Sequence, residues 1–86
     1  MSTLKDTVEL MCSENYKERF IAEYKQTKIR YNKLKKFCNH IEAAIMLGQP
    51  EPEHDCPYEL LRLQQRQMGE YLHTLEVRAI IEGIEL

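Results

Sequence analysis

Tyrosines and lysines at helical spacing are the residues of this chain best suited to bind a ligand. Tyr24 and Tyr31 are seven residues apart, and Lys28 and Lys35 repeat that interval four residues further on. At 100° per residue, the two rings share one stripe of a helix and the two ammonium groups lie at its edge. Ammonium groups bind phosphates and a tyrosine ring stacks on a base, so this set predicts a site for a phosphate-and-base ligand.

A solvated helix face is the alternative explanation for the lysines. Glu70 and Glu76 of a second helix could lie near Lys33 and Lys28 and pair with them, and such exposed pairs add little to stability. The tyrosines also have a structural explanation, because a tyrosine on an apolar stripe is most often a core residue with its hydroxyl at the rim. The residues alone leave both explanations open.

Arg78 is a further candidate for the ligand site. It falls on the inner side of the last predicted helix, close to Leu75 and Ala79. A cation that faces an apolar stripe needs an acid or an anionic ligand. We therefore expect Arg78 to close the pocket in which Lys28 and Lys35 hold phosphates.

A stripe of apolar and aromatic residues predicts the helix that positions these side chains. Its members recur at steps of three or four, which places them on one face of a helix. They are Tyr16, Phe20, Tyr24, Thr27, Tyr31, Leu34, Cys38, Ile41 and Ile45. No Gly or Pro interrupts the segment, which predicts one helix over 14–47 with Ser13 as its N-cap and Gly48 at its end.

A second long helix follows the one clear loop, the Pro-containing segment 48–56. Pro57 is a suitable first residue for a helix over 57–82, which ends at Gly83. Gly69 in the interior of this helix costs about 1 kcal/mol relative to Ala. Its presence there predicts a close approach between the helices.

The whole chain, 1–86, is predicted to form one all-α domain, a long antiparallel helical hairpin preceded by a short helix over 4–12. Ser2 or Thr3 is the expected N-cap of the short helix. A chain of this length buries only about 60% of its unfolded surface. We therefore expect homo-oligomerisation to complete the core.

Composition and cysteine usage restrict the class of protein. Hydrophobic residues make up 43% and charged residues 30% of the chain, which is typical of a folded soluble protein. No apolar run is long enough for a membrane span, and the N-terminal residues lack the apolar segment of a secretory signal. Three unclustered cysteines without such a signal predict free thiols in a reducing cytoplasm.

The spacing of cysteines and histidines argues against a metal centre. Cys38 and His40 are two positions apart on the predicted helix and point about 160° away from each other. They therefore cannot both join His54 and Cys56 around one zinc ion.

The chain also lacks the signs of catalysis. It has no Gly-rich phosphate loop and no nucleophile–base pair with useful spacing, and His73 and Glu70 are better explained as a surface pair. We expect neither an enzymatic activity nor a cofactor. The net charge of −2 and the absence of a recognition-helix motif weaken the case for nucleic-acid binding.

Most of the chain resembles a group of small proteins from tailed phages and prophages. The shared frame is Leu60-Leu61-x-x-Gln64-x-x-x-Met68-x-x-Tyr71-x-x-x-Leu75-x-x-Arg78, which follows a long basic-aromatic helix and a Pro-containing loop. In size, hairpin architecture and cation–tyrosine flank, the chain is also similar to oligomeric phage sponges. Those anti-CBASS and anti-Thoeris proteins sequester the cyclic nucleotides that bacterial anti-phage systems use as signals.

The resemblance implies a non-enzymatic phage protein that acts in the cytoplasm of a bacterial host and binds a small cyclic nucleotide between subunits. The expected site residues follow from the chemistry above and are Tyr24, Lys28, Tyr31, Lys35 and Arg78. The alternative is a structural or adaptor protein whose hairpin binds a host or phage protein.

Overall fold

Two long antiparallel helices form the body of the protein in the computed structural model, which describes residues 4–86 apart from the side chains of Asp6 and Leu10. The elements are a 3₁₀ turn at Lys5–Thr7, helix α1 at Val8–Met11, helix α2 at Tyr16–Leu47 and helix α3 at Tyr58–Glu82. The described residues contain no strand, which confirms the predicted all-α hairpin. The expected caps Ser2 and Thr3 lie outside them. None of these helices is long and apolar enough to cross a membrane.

Helix α2 begins later than its sequence predicts. Asn15, and not Ser13, is its N-cap: the Asn15 Oδ1 accepts a hydrogen bond of 2.8 Å from the backbone N–H of Lys17, and its own backbone is extended. The Ser13 hydroxyl accepts a hydrogen bond from the Asn15 N–H instead, at 3.0 Å. Both residue types can cap a helix, and the one whose backbone is extended immediately before the first turn takes the role.

The loop between the long helices is fixed by His54. One ring nitrogen lies 2.6 Å from the carbonyl oxygen of Cys56 and the other lies 3.0 Å from a carboxylate oxygen of Glu51. The imidazole also meets the ring of Phe37 on α2 edge-on, with 6.3 Å between centroids. Pro57 ends the loop as the N-cap of α3 rather than as its first helical residue.

The main core lies between the N-terminal half of α2 and the C-terminal half of α3. Its buried members are Phe20, Tyr24, Leu72, Leu75, Ala79 and Ile84. Cys38 and Ile41, which are fully buried, continue the α2 stripe towards the loop. The stripe predicted from the spacing of three and four therefore faces α3 over most of its length, while Ile45 at its end is 51% exposed.

The chain turns back after α3 and adds a residue to the core. Gly83 adopts a φ of 70°, which side chains with a β-carbon rarely allow, and the Ile84 N–H donates to the Ala79 carbonyl at 2.8 Å. Ile84 becomes buried in the main core as a result. The two residues that follow it are thereby held close to the hairpin.

The N-terminal segment packs against α2. Ala22 is fully buried, although it lies two positions after Phe20 and points about 160° away from it on the helix. Thr7, in the 3₁₀ turn, is also buried, and its hydroxyl donates to the Leu4 carbonyl at 2.7 Å. Helix α2 is thus covered on two sides over its first half.

Gly69 lets α3 approach a tyrosine of α2. A β-carbon at this position would lie 3.0 Å from Cε1 and 3.3 Å from the hydroxyl oxygen of Tyr31. The close approach predicted from this glycine therefore occurs, and the group that uses the space is an aromatic ring.

We expect Gly69→Ala to destabilise the hairpin although it improves helix propensity. Overpacking against a rigid ring costs about 1–3 kcal/mol, and the gain in propensity offsets about 1 kcal/mol. Urea unfolding should therefore show a net loss of about 1 kcal/mol. In a Tyr31→Leu background the same substitution should be neutral or stabilising. An equal loss in both backgrounds would show that the ring is not the group that Gly69 accommodates.

Candidate functional site

A basic groove runs along one edge of the hairpin. It consists of two neighbouring cavities of about 370 and 220 Å³, and Lys28 and Asn32 line both. The larger cavity adds Tyr24, Lys25, Ile29 and Leu86. The smaller one adds Tyr31, Gly69, Leu72, His73 and Glu76. Of the flank residues expected from the sequence, Tyr24, Lys28 and Tyr31 thus line a concavity.

The spacing of residues on both helices of the hairpin builds this groove. On α2, Lys25, Lys28 and Asn32 are three and four residues apart, which places them on one edge of the helix. On α3, Gly69 and Glu76 are seven residues apart and lie on the edge that faces them. Because the helices are antiparallel, these edges border each other over about two turns.

Tyr24 contributes its hydroxyl to the groove and not its ring. The side chain is 7% exposed, and the hydroxyl donates to Glu76 Oε2 at 2.6 Å and accepts from Lys28 Nζ at 3.4 Å. Burial, followed by the hydrogen bond to Glu76, raises the pKa of the Tyr24 phenol. A base could not stack on this ring, so the stacking role expected for Tyr24 or Tyr31 fits only the second.

Tyr31 is the aromatic ring that the groove presents. It is half-buried and lies against Gly69, and its hydroxyl accepts from Gln65 Nε2 at 3.4 Å. The Lys35 ammonium lies over the same ring, 5.9 Å from its centroid. Lys35 itself lines neither cavity and extends the groove by about one turn.

The lysines of the groove have no carboxylate within salt-bridge distance among the side chains that the structure describes. The ion pairs found there join His54 to Glu51, Arg62 to Glu42 and Arg78 to Glu82. Lys28 and Glu76 are joined only through the Tyr24 hydroxyl, and Lys28 lies 5.5 Å from the centroid of that ring. The salt bridges considered as an alternative, from Lys28 and Lys33 to Glu76 and Glu70, are therefore not formed directly.

Arg78 lies away from the groove. Its Nε donates to Glu82 Oε2 at 3.0 Å, another guanidinium nitrogen donates to the Tyr16 hydroxyl, and the group lies 5.0 Å from the centroid of Phe20. The acid that its position required is therefore Glu82. Arg78 is not among the residues that line either cavity of the groove within one subunit.

Further hydrogen bonds between a tyrosine and a glutamate cross the hairpin. Tyr16 donates to Glu82 at 2.9 Å, and Tyr71 of α3 donates to Glu23 of α2 at 2.6 Å. In both, the hydrogen bond to the carboxylate is the main cause that raises the pKa of the phenol. Together with Tyr24, they place three phenol–carboxylate contacts between α2 and α3.

Sequence reasoning missed several groove residues. Asn32 follows Lys28 by one turn, and this spacing could have included it in the predicted site. His73 was weighed only as a partner of Glu70. Leu86 reaches the larger cavity because the chain turns back at the end of α3, and the apolar residues after a helix-ending glycine were a usable signal for that turn.

A metal centre finds no support in the described side chains, where no group of three His, Cys, Asp or Glu residues could hold an ion. Cys38 is buried in the hairpin while His40 is exposed. These two residues therefore diverge, as their spacing predicted.

Comparison with known proteins supplies independent information on the class of protein. The Sequestin family model matches residues 14–81, which include α2, the loop and nearly all of α3. No curated protein and no solved structure matches the chain. The family name denotes sequestration, which is a binding role rather than a catalytic one.

We expect Tyr24→Phe to destabilise the hairpin by about 1 kcal/mol, because the hydroxyl joins the two helices through Glu76 in a partly buried position. Tyr58→Phe is the matched control, since the one hydrogen bond of the Tyr58 hydroxyl within the described residues comes from Arg62 of the same helix. Urea unfolding of the two variants should show a larger loss for Tyr24→Phe. Equal losses would contradict a role of the Tyr24 hydroxyl in joining the helices.

Alkaline pH should weaken the hairpin through the same tyrosines. The folded-state pKa values of Tyr16, Tyr24 and Tyr71 are raised above the ordinary value of 10.0. The unfolded state therefore loses these protons first, so their contribution is complete below pH 10 and is lost as the pH rises through the folded-state pKa values. The unfolding free energy, followed from neutral to alkaline pH, should fall less steeply for Tyr24→Phe/Tyr71→Phe than for the parent. Identical slopes would contradict this assignment.

Proposed function

This chain belongs to the Sequestin family, and we propose that it sequesters a small cyclic nucleotide in the basic groove, between subunits and without chemistry. The observation that carries the proposal is the position of Lys28. It lines both cavities of the groove, and among the described residues it has no carboxylate partner. A phosphate is the partner that such a cation accepts most readily.

The groove residues divide the recognition of a nucleotide between them. Lys28 and Lys35 are about 10 Å apart along α2, a separation that suits two phosphates of one ligand. Tyr31 lies between them and offers the ring on which a base stacks. Asn32 and His73 bring an amide and an imidazole that can bond to the edges of a base.

A second copy of the chain is needed to enclose such a ligand. The two cavities lie at or below the lower end of the range of about 300–1,000 Å³ that small-molecule sites occupy. Sequestration requires slow release, which an enclosed site provides better than an open groove. We therefore place the ligand between subunits of a homo-oligomer, where Arg78 would have to come from another copy. A phage origin and action in the cytoplasm of a bacterial host are part of this proposal.

An adaptor protein is the second candidate function. Large apolar side chains are exposed on both long helices, with Met46 and Leu47 at the end of α2 and Ile80 and Ile81 near the end of α3. A host or phage protein could dock on them. In that case the groove would be a solvated face.

The first test is a thermal-shift screen of the parent protein against cyclic dinucleotides, cyclic trinucleotides and isomers of cyclic ADP-ribose. A ligand present at about 100 times its dissociation constant should add about 2.7 kcal/mol of stability. Failure of every class to shift the melting temperature would favour the adaptor.

The second test locates the site. Lys28→Glu and Lys35→Glu should each abolish binding of the compound that the screen identifies, while the melting temperature stays close to that of the parent, since exposed lysines contribute only about 0–1 kcal/mol. Tyr31→Ala should lose binding and stability together. Lys33→Glu is the matched control, because Lys33 is exposed on α2 outside the groove. Calorimetric titration that finds parental affinity in both groove variants would remove the proposed site.

A further inference from the structure

The outer face of α3 carries apolar side chains that nothing in one hairpin covers. Leu72, Leu75 and Ala79 define the inner face of this helix. At 100° per residue, Leu63 and Val77 lie on the opposite side, and both are exposed. Leu60 and Ile81, at the two ends of the same stripe, are 54% and 78% exposed. Glu70 and Thr74, which are polar and exposed, lie on the same side of the helix between the two apolar ends of this stripe. The stripe is separate from the basic groove and from the core.

The apolar residues of this stripe are arranged symmetrically along the helix. Leu63 and Val77 are centred on residue 70, and Leu60 and Ile81 are centred half a residue further on, between residues 70 and 71. The spacing therefore reads nearly the same from either end. A face of this kind is complementary to a copy of itself turned end over end, as in an isologous interface.

We propose that a second copy of this chain packs antiparallel along the outer face of α3, with a two-fold axis near residues 70 and 71. Leu60 then meets Ile81 of the partner subunit, and Leu63 meets Val77 of the partner subunit. The contact extends about 32 Å from the first to the last of these residues. The main core of one hairpin has only six buried residues, so the contact supplies burial that the single chain lacks.

Charge and dipoles favour the antiparallel over the parallel arrangement. A parallel pair would align each helix with its own copy and would bring Arg66 against Arg66 and Glu70 against Glu70. It would also align the two helix dipoles. The antiparallel register separates the arginines, whereas the two Glu70 side chains lie beside the two-fold axis in this register as well. The symmetric spacing fits a second copy better than an unrelated protein, which would not require it.

The interface also brings a cation to the groove of the other subunit. Gly69 and His73 lie on the side of α3 between its inner and outer faces, at the rim of the smaller cavity. A two-fold axis perpendicular to the paired helices keeps both grooves on one side of the dimer. It sets Arg66 of the partner subunit level with His73 and Val77. The interface does not depend on a ligand, whereas a role for Arg66 in binding rests on the proposed function.

Light scattering after size exclusion tests the interface. Leu63→Glu and Val77→Glu should each disrupt this dimer contact, because they place a carboxylate in it. The molar mass of the oligomer should therefore halve. Leu47→Glu is the control: Leu47 is 69% exposed but belongs to α2, and this variant should keep the parent mass. Circular dichroism shows whether each variant remains helical. The proposal is overturned if both α3 variants are folded and keep the molar mass of the parent, or if the parent itself is a monomer.

Cysteine cross-linking tests the orientation. In a Cys12→Ser/Cys56→Ser background, Leu63→Cys combined with Val77→Cys should form disulfide-linked dimers on oxidation. Leu63→Cys alone should not, since a disulfide needs Cα atoms within about 7 Å. The combination of Arg66→Cys with His73→Cys should cross-link as well, which would place Arg66 at the groove rim. Efficient cross-linking of Leu63→Cys alone overturns the antiparallel register.

These experiments need no nucleotide, so they separate the two proposals. Cross-links of the expected pattern without nucleotide binding would sustain the interface and remove the sequestering role of the groove. Binding without the cross-links would sustain the groove and overturn the interface.

Discussion

Packing of Phe20 and Tyr24 against Leu72 and Leu75 is the interaction on which the rest of this structure depends. Within the described residues, the N-terminal segment, which consists of the 3₁₀ turn and α1, contacts α2 and not α3. Helix α3 therefore packs against α2 and against no other helix of the described residues. Each fully buried side chain of this size contributes about 1.5–3 kcal/mol. The register that this contact sets between the long helices decides which edge residues face one another, and so it decides the composition of the groove.

Tyr24 couples that core to the candidate site. Its ring is buried between the helices, while its hydroxyl lies at the surface between Glu76 and Lys28. A phenol suits this position, because it combines a large apolar body with one polar tip. The consequence is that Lys28 is positioned by a core residue rather than by a flexible surface pair. Such support keeps a binding group in place before the ligand arrives, which lowers the ordering cost of binding.

A sequestering protein needs complementary charge and enclosure, and the groove supplies the first of these. Between residues 24 and 41, α2 carries six lysines and arginines and no acid. Lys25, Lys28 and Lys35 lie along the groove, where their like charges repel. An anionic ligand relieves the repulsion and gains charge-assisted hydrogen bonds at the same time. In the proposed homo-oligomer, a further subunit would cover the side of the groove that one hairpin leaves open. Binding of this kind weakens with salt in proportion to the exposure of the charges.

The sequence by itself determined the helices and the edge on which the cations lie, because both follow from local periodicity. The α2 stripe, the glycine that ends each long helix and the placement of Lys28 beside Tyr24 all needed only the geometry of one helix. The tertiary structure decided the features that depend on the register between helices. It buried the Tyr24 ring, joined Arg78 of α3 to the Tyr16 hydroxyl of α2 and brought His73 to the groove. Those outcomes rest on contacts between residues some 50 positions apart in the chain, and the spacing within a single helix carries no information about such contacts.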